Sequence, residues 1–223
     1  FMFHVKPFFI VIFLLPLFSY SQHVGSSRLE IKDLPVPPAR DTAVDNYISR
    51  IGVSLNSTEK EWFYWTNYSR HNPRRFWDSV IVPILDLHPE FRNSYIISLK
   101  DELYKSPSLP LVKPNVKLAQ VANQLASALA AGRSGPSHTD PSGGTFEARM
   151  QSINVRRCAG ENISFGPPNT LLMLVLLFID EGVADLGHRR TLLNPSFVEM
   201  GVGSSTYANG NAMVVTDFAC SQE

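Results

Sequence analysis

The feature that most constrains the fold is an unbroken run of nine apolar residues, Leu171 to Ile179. A helix with apolar side chains on every face must be covered nearly all round by other elements. Asn169 or Thr170 can cap its start and Gly182 can end it, so the sequence predicts a helix over 171–181. The run is far shorter than the ~20 residues of a membrane span. With 223 residues, 44% of them apolar, the chain can bury this helix in one domain.

Two further patterns set the fold class. Apolar residues recur at three- and four-residue steps from Leu118 to Leu129, which predicts an amphipathic helix over 118–131 with Gly132 as its C-cap. Near the end of the chain, strand-like runs at 200–207 and 212–219 flank Asn209-Gly210. This dipeptide is a strong hairpin signal because both residues accept positive φ. Helices in the middle and strands at the end predict an α+β layered fold.

Shorter helices follow from capping residues and prolines. Polar residues at 56–58, followed by Glu59, predict the start of a helix. Pro73 and Pro83 bracket a second helical stretch over 74–82, since each proline discourages helix through itself. A short helix is also expected over 146–152. The segment between 134 and 144 is rich in Ser, Gly and Pro, which places His138 on a loop.

The N-terminal segment has the layout of a secretory signal peptide. Met2, His4 and Lys6 precede an apolar run over 7–18, and Ser19 and Ser21 stand three and one residues before a cleavage point. The sequence therefore predicts a signal peptide over 1–21 and a secreted, extracellular protein, with the periplasm or the cell surface as other destinations. An uncleaved anchor and a buried core helix are the alternatives.

Residues 22–55 carry a Pro-rich stretch at 34–38 and few large apolar residues in any clear period. We interpret them as an N-terminal extension at the periphery of the core. The globular domain then covers 56–223.

Charge and cysteine content narrow the class of protein further. The 20 basic and 20 acidic side chains cancel, so no broad field draws the chain to nucleic acid or to an anionic membrane. Outside the cytoplasm thiols tend to oxidise, and Cys158 and Cys220 are the only cysteines. The sequence predicts a disulfide between them, and two buried free thiols are the alternative.

Several catalytic signatures are absent from the sequence, namely His-Glu-x-x-His, Gly-x-Ser-x-Gly and a phosphate-binding glycine loop. Polar residues instead gather at the ends of predicted elements, at 137–140, 158–163, 180–182 and 187–190. In their order these pieces resemble the CAP (SCP-like) superfamily of cysteine-rich secretory, antigen 5 and pathogenesis-related proteins. Their short spacings are more similar to those of bacterial-type members. The resemblance runs from 61 to 219, and its motifs are Asn67-x-x-Arg70, the 118–131 helix, His138 and Asp140, Arg149, Gly160-Glu161-Asn162-Ile163, Gly187-His188-Arg189 and Gly201-Val202-Gly203.

This resemblance implies a three-layer α-β-α sandwich with a central antiparallel sheet. It also implies a polar cavity in which two histidines and two acids meet: His138, Glu161, Glu181 and His188. Phe178 stands where the family usually has tryptophan, and the step from Glu181 to His188 is short, so Asp180 is a rival for the second acid.

The candidate residues also have structural interpretations. Glu161 can form an ion pair with Arg149, and His188 can simply pack at the start of a helix. Arg189 and Arg190 are expected on a solvated face.

Three functions remain open at this stage, and the family fold does not decide among them. The first is a secreted binding module for a lipid, sterol or carbohydrate. The second is a hydrolase in which a histidine acts as general base. The third is a non-catalytic scaffold for a host or other protein partner. We also expect His138 and His188 to bind a divalent metal weakly, zinc above others, with Glu161 and Glu181 accepting hydrogen bonds from the imidazoles.

Overall fold

The computed structural model describes residues 20–24, 34–51 and 53–222. The helices are α1 (Thr42–Arg50), α2 (Ser57–His71), α3 (Pro73–Phe76), α4 (Val82–Leu87), α5 (Ser94–Lys105), α6 (Val116–Ala131), α7 (Phe146–Ser152), α8 (Thr170–Ile179) and α9 (Gly187–Leu192). The strands are β1 (Tyr20–Val24), β2 (Lys113–Pro114), β3 (Ala159–Gly166), β4 (Glu199–Thr206) and β5 (Ala212–Ala219). The predicted signal peptide lies outside the described residues, except for its last two positions.

The strands form one sheet in the order β1-β3-β5-β4-β2. The three inner strands pair antiparallel, as the family resemblance implies, while β1 and β2 add to the edges in parallel. The predicted hairpin between β4 and β5 is confirmed. Of its Asn209-Gly210 pair, only Gly210 takes a positive φ, at 84°.

Helices cover both faces of the sheet, which gives the predicted three layers. Alternate side chains of β5 enter different cores because successive residues of a strand point to opposite faces. Val214 and Phe218 pack with α2 and α8, whereas Val215 and Ala219 pack beneath α6 and α7. The same alternation on β3 decides which side of the sheet each of its polar residues reaches.

Helix α8 is buried along its length, as its composition predicts. The Asn169 side chain caps it by accepting a hydrogen bond from the backbone N–H of Leu172 at 2.9 Å. The helix ends at Ile179, two residues before the predicted end, because Asp180 adopts a left-handed conformation with φ of 58°. This early end determines where the following acidic side chains lie.

Glycines let α6 lie directly against β4. A Cβ added to Gly201 would collide with the backbone at Ala119, and one added to Gly203 would collide with the backbone at Ala122 and Asn123. A side chain at either position would therefore force the helix away from the sheet. This close approach is the physical role of the Gly201-Val202-Gly203 motif.

Two expectations about the first half of the chain need correction. Helix α1 lies within 22–55, where the sequence predicted no element, and its Val44 is fully buried in the core. Pro83 does not end the helical stretch, which continues from α3 through a π-helical turn (Trp77–Ile81) into α4. Pro83 comes just after this π-helical turn, so the hydrogen-bond pattern changes where its missing N–H would interrupt a regular α-helix.

The other helix predictions are confirmed. Asn56 and Glu59 form a reciprocal capping box at the start of α2. The helix predicted over 146–152 matches α7, and Gly132 is the C-cap residue of α6. The residue that takes a left-handed conformation there is Arg133, with φ of 52°.

The Cys158–Cys220 disulfide is confirmed and joins the start of β3 to the end of β5. Within the described ranges no helix combines the length and the apolar composition that a membrane crossing requires.

Candidate functional site

The first polar cluster of the site centres on Glu161, which is fully buried on β3. Its Oε1 lies 2.6 Å from His138 Nδ1, and its Oε2 accepts a hydrogen bond from Arg149 Nη2 at 2.6 Å. Because a carboxylate can only accept, the His138 Nδ1–H is the donor. The His138 side chain is 10% exposed. The structural interpretation of Glu161 as a partner of Arg149 is therefore correct, and His138 shares the same carboxylate.

Arg149 also fixes the loop that carries His138. Its Nη1 donates to the carbonyl oxygens of His138 at 3.0 Å and Gly144 at 3.2 Å. Arg149 lies on α7, which the Thr145 side chain caps. Asp140 closes the same loop by accepting hydrogen bonds from the backbone N–H groups of Ser142 and Gly144. Asp140 also accepts a hydrogen bond from the Ser142 hydroxyl. The three hydrogen bonds, chiefly the one from this hydroxyl, lower the pKa of Asp140.

Asp217 is a member of this cluster that sequence reasoning missed. It lies opposite Glu161 in the β3–β5 pairing and is fully buried. Burial, followed by the charge of Glu161, raises the pKa of Asp217 well above its usual range. The available signal was an acidic residue within the apolar run 212–219, whose strand neighbours only the fold identifies.

The second polar cluster pairs His188 with Asp180. His188 Nδ1 lies 2.6 Å from Asp180 Oδ1, and each side chain is 1% exposed. Asp180 Oδ2 accepts a second hydrogen bond from the backbone N–H of Arg189 at 3.1 Å. The carboxylate therefore holds both the ring and the backbone of α9.

Glu181 is not the partner of His188. It accepts a hydrogen bond from Asn93 Nδ2 at 3.0 Å, next to the start of α5. The rival acid considered from the sequence, Asp180, occupies the place beside His188 because α8 ends at Ile179 and Asp180 is left-handed. This left-handed residue lets Asp180 reach His188 although only seven residues separate them in the sequence.

The two pairs meet β3 at neighbouring residues whose side chains point to opposite faces of the sheet. Glu161 shares the face of Ala159 and Ile163, which pack beneath α6 and α7. Asn162 points to the other face, where its Nδ2 donates to the carbonyl oxygen of His188 at 3.1 Å. Of the four residues expected in one cavity, the structure pairs His138 with Glu161, pairs His188 with Asp180, and leaves Glu181 with Asn93.

Metal binding remains a prediction. Among the described residues no three His, Cys, Asp or Glu side chains gather in a way that could hold a metal ion. Both imidazoles present Nδ1 to a carboxylate, which would orient Nε2 toward a metal, but the donor set does not fit a site with three protein ligands. Calorimetric titration of zinc into the wild type, His138→Ala and His188→Ala tests the prediction.

Arg189 is buried, so its expected place on a solvated face is wrong, whereas Arg190 is exposed as predicted. The Arg189 guanidinium donates to the carbonyl oxygens of Phe178 at 2.7 Å and Ile179 at 2.9 Å. These are carbonyls of the last turn of α8, which a cation stabilises. Burial lowers the pKa of Arg189, while the charge of nearby Glu102 opposes that shift.

The Asn67-x-x-Arg70 motif has a structural role. Asn67 exchanges two hydrogen bonds with the backbone of Val112, at 2.8 and 3.0 Å. The fully buried Arg70 donates to four carbonyl oxygens, and burial lowers its pKa to about 10. Those carbonyls belong to Pro110, Leu192, Asn194 and Phe197. The motif therefore ties α2 to the segments that precede β2 and β4.

A cavity of about 390 Å³ borders the first cluster, between α6 and the loop that follows it. Arg149 lines it, and the Arg149 Nε is buried without an acceptor among the described residues. We call this cavity the α6 pocket. Its lining residues are Gln124, Leu125, Ala128, Gly132, Asp140, Pro141, Ser142 and Arg149.

The family model described as "Cysteine-rich secretory protein family" (CAP) matches residues 68–218. That range contains both acid–histidine pairs, Asp217 and the α6 pocket. A comparison with curated proteins gave no match.

Three solved structures are similar to the chain. An outer surface protein from Borrelia burgdorferi is 20% identical over 61% of this chain and 93% of its own, with a TM-score of 0.43. Venom allergen-like protein 4 from Schistosoma mansoni is 14% identical over 76% and 92%, with a TM-score of 0.47. An extracellular protein containing an SCP domain from Bacillus anthracis is 23% identical over 57% of this chain, which spans only 39% of that protein, with a TM-score of 0.42.

Proposed function

The chain belongs to the cysteine-rich secretory protein family, and from this premise we propose that it is an exported binding module for a small amphipathic ligand. The ligand occupies the α6 pocket, with its polar end toward Arg149. The single observation that carries the proposal is a cavity beside a buried arginine whose Nε has no described acceptor.

The α6 pocket has the character of a small-molecule site. Such sites are concave and mainly apolar, with a few fixed polar groups, and have volumes of about 300 to 1,000 Å³. Leu125, Ala128 and Pro141 supply apolar surface here, and Arg149 is held rigid by its three acceptor groups. A volume near 390 Å³ lies at the small end of that range, which limits the ligand to a small molecule.

The geometry favours binding over hydrolysis. A general base must lie within hydrogen-bond reach of the proton that it removes from substrate or water. The Nδ1 atom of His138 is committed to Glu161, and its Nε2 is buried. His188 is 1% exposed, and its Nδ1 is committed to Asp180. A substrate of ordinary size therefore does not reach either imidazole without a rearrangement.

Filling the α6 pocket tests the proposal. We expect Ala128→Phe to occupy the cavity and Ser127→Phe, at an exposed position of the same helix, to leave it open. Displacement of a fluorescent short-chain fatty acid from each protein would measure affinity. A loss of at least about tenfold, or roughly 1.4 kcal/mol, is expected for Ala128→Phe alone.

Circular dichroism and thermal unfolding of both variants provide the control for folding. Wild-type affinity in a folded Ala128→Phe protein would exclude the α6 pocket as the binding site. An equal loss in both variants would point to a site elsewhere on α6.

A further inference from the structure

Asp217 lies in an apolar part of the sheet. Its neighbours two residues away on the same face of β5, Val215 and Ala219, both pack in the core beneath α6 and α7. On β4 it lies opposite Gly201, which brings no side chain, and on β3 it lies opposite Glu161. The carboxyl is therefore buried between apolar groups and one other carboxyl.

The charged groups of this cluster leave Asp217 without a cation of its own. Arg149 from α7 and His138 from the preceding loop direct their hydrogen bonds to the two oxygens of Glu161. Neither oxygen of Asp217 accepts a hydrogen bond from a donor in the described part of the chain. Asp140, on the same loop, uses its carboxylate within the loop itself.

Ionising both Asp217 and Glu161 in this buried position would cost a large amount of free energy. Like charges directly opposite each other on adjacent strands repel, and burial removes the water that would screen them. When two carboxyls share a buried site, one of them retains its proton. Glu161 accepts the charge-assisted hydrogen bonds and Asp217 accepts none from the described residues, so the retained proton belongs on Asp217. The raised pKa of Asp217 agrees with this division.

We propose that Asp217 carries a proton at neutral pH and donates it in a hydrogen bond to Glu161. Asp217 is then a positioning residue, since it fixes Glu161 as the ionised acceptor that holds both His138 and Arg149. The proton stays within the carboxyl pair, so no other group gains or loses one. The proposal concerns this cluster alone and holds whether or not the α6 pocket binds a ligand.

Infrared difference spectroscopy at neutral pH tests the proposal. The wild type minus Asp217→Asn spectrum should contain the C=O stretching band of a buried carboxylic acid. Isotopic labelling of the aspartate carboxyls should shift that band, whereas labelling of the glutamate carboxyls should leave it unchanged. A spectrum without the band, or a band that shifts with glutamate labelling, would overturn the proposal.

Nitrogen NMR of the His138 ring tests whether Asp217 positions Glu161 by a hydrogen bond or only fills space in the core. Asn at 217 keeps an N–H donor toward Glu161, so Asp217→Asn should leave the His138 ring signals near their wild-type positions. Asp217→Leu fills the same space without a donor and should shift them. If both variants give the same His138 signals, Asp217 does not position Glu161.

Discussion

Asp180 Oδ1 and His188 Nδ1 lie 2.6 Å apart in the interior of the protein, and the next residue, Glu181, hydrogen bonds to Asn93 instead. Removing Asp180 deletes the carboxylate that accepts hydrogen bonds from the His188 ring and from the backbone N–H of Arg189. We expect Asp180→Ala to lower the free energy of unfolding by about 3 to 5 kcal/mol, the cost of breaking a buried pair.

The adjacent acid provides the matched control for this prediction. Glu181→Ala removes one partly buried hydrogen bond, so we expect a loss of only about 1 kcal/mol. Urea denaturation of both variants measures the difference. A larger loss for Glu181→Ala than for Asp180→Ala would show that Glu181 is the acid that holds His188.

The second prediction concerns the contact of α6 with β4. Gly203→Ala places a methyl group against the backbone of Ala122 and Asn123. Neither strand β4 nor helix α6 can move away easily at this point. We expect a loss of about 1 to 3 kcal/mol, or more, from overpacking. Gly135→Ala is the control, because a Cβ there meets no atom within 4 Å and its φ is not positive. Thermal unfolding that ranks the two variants equally would refute the close approach.

Elements with strong local signals could be predicted from the sequence. Helix α6, helix α7, the start of α2 and the β4–β5 hairpin depend on residues close in the chain, and all four were predicted to within a few positions. The sequence does carry a local signal for the missed helix α1, since the Asp41 side chain caps it by accepting hydrogen bonds from the backbone N–H groups of Ala43 and Val44. The continuation of the helix past Pro83 depends on the π-helical turn before it, which local propensity does not predict.

The site was predictable only in part. The family motifs identify His138, Glu161 and His188, but the choice between Asp180 and Glu181 depends on one left-handed residue after α8. Asp217 joins the cluster through strand register, and Arg189 is buried because it caps the carbonyls of α8. Each of these facts requires distant segments to be placed in space.

The disulfide gives a third prediction. Cys158 and Cys220 are separated by 62 positions, and closing a loop of that length in the unfolded chain stabilises the fold by about 4 kcal/mol in the chain-entropy description. Cys158→Ser with Cys220→Ser should lose a comparable amount, measured by urea unfolding. Mass spectrometry of the unreduced wild type checks the pairing, since alkylation of both thiols without reductant would contradict it.

The fourth prediction is export with cleavage after Ser21. Expressed in a secreting host, the mature protein should begin at Gln22, as N-terminal sequencing would show. Strand β1 (Tyr20–Val24) extends across this point, so cleavage leaves only three of its five residues on the sheet edge. An exported protein that retains the apolar run over 7–18 would contradict the cleaved signal peptide.

The last prediction follows from the raised pKa of Asp217. In the unfolded chain this carboxyl ionises near its ordinary pKa of 3.8, while in the folded protein it keeps its proton to higher pH. Between those two pKa values the folded state binds more protons than the unfolded state, so the contribution of Asp217 to stability falls as pH rises. For a single proton the free energy of unfolding changes by at most about 1.4 kcal/mol per pH unit.

The Asp217→Asn variant lacks the titrating group. Its free energy of unfolding should therefore lack this part of the pH dependence. Urea unfolding of both proteins from about pH 4 to pH 8 gives the comparison. We expect the wild type to lose stability relative to the variant as pH rises, and a constant difference across the range would mean that Asp217 has an ordinary pKa in the folded protein.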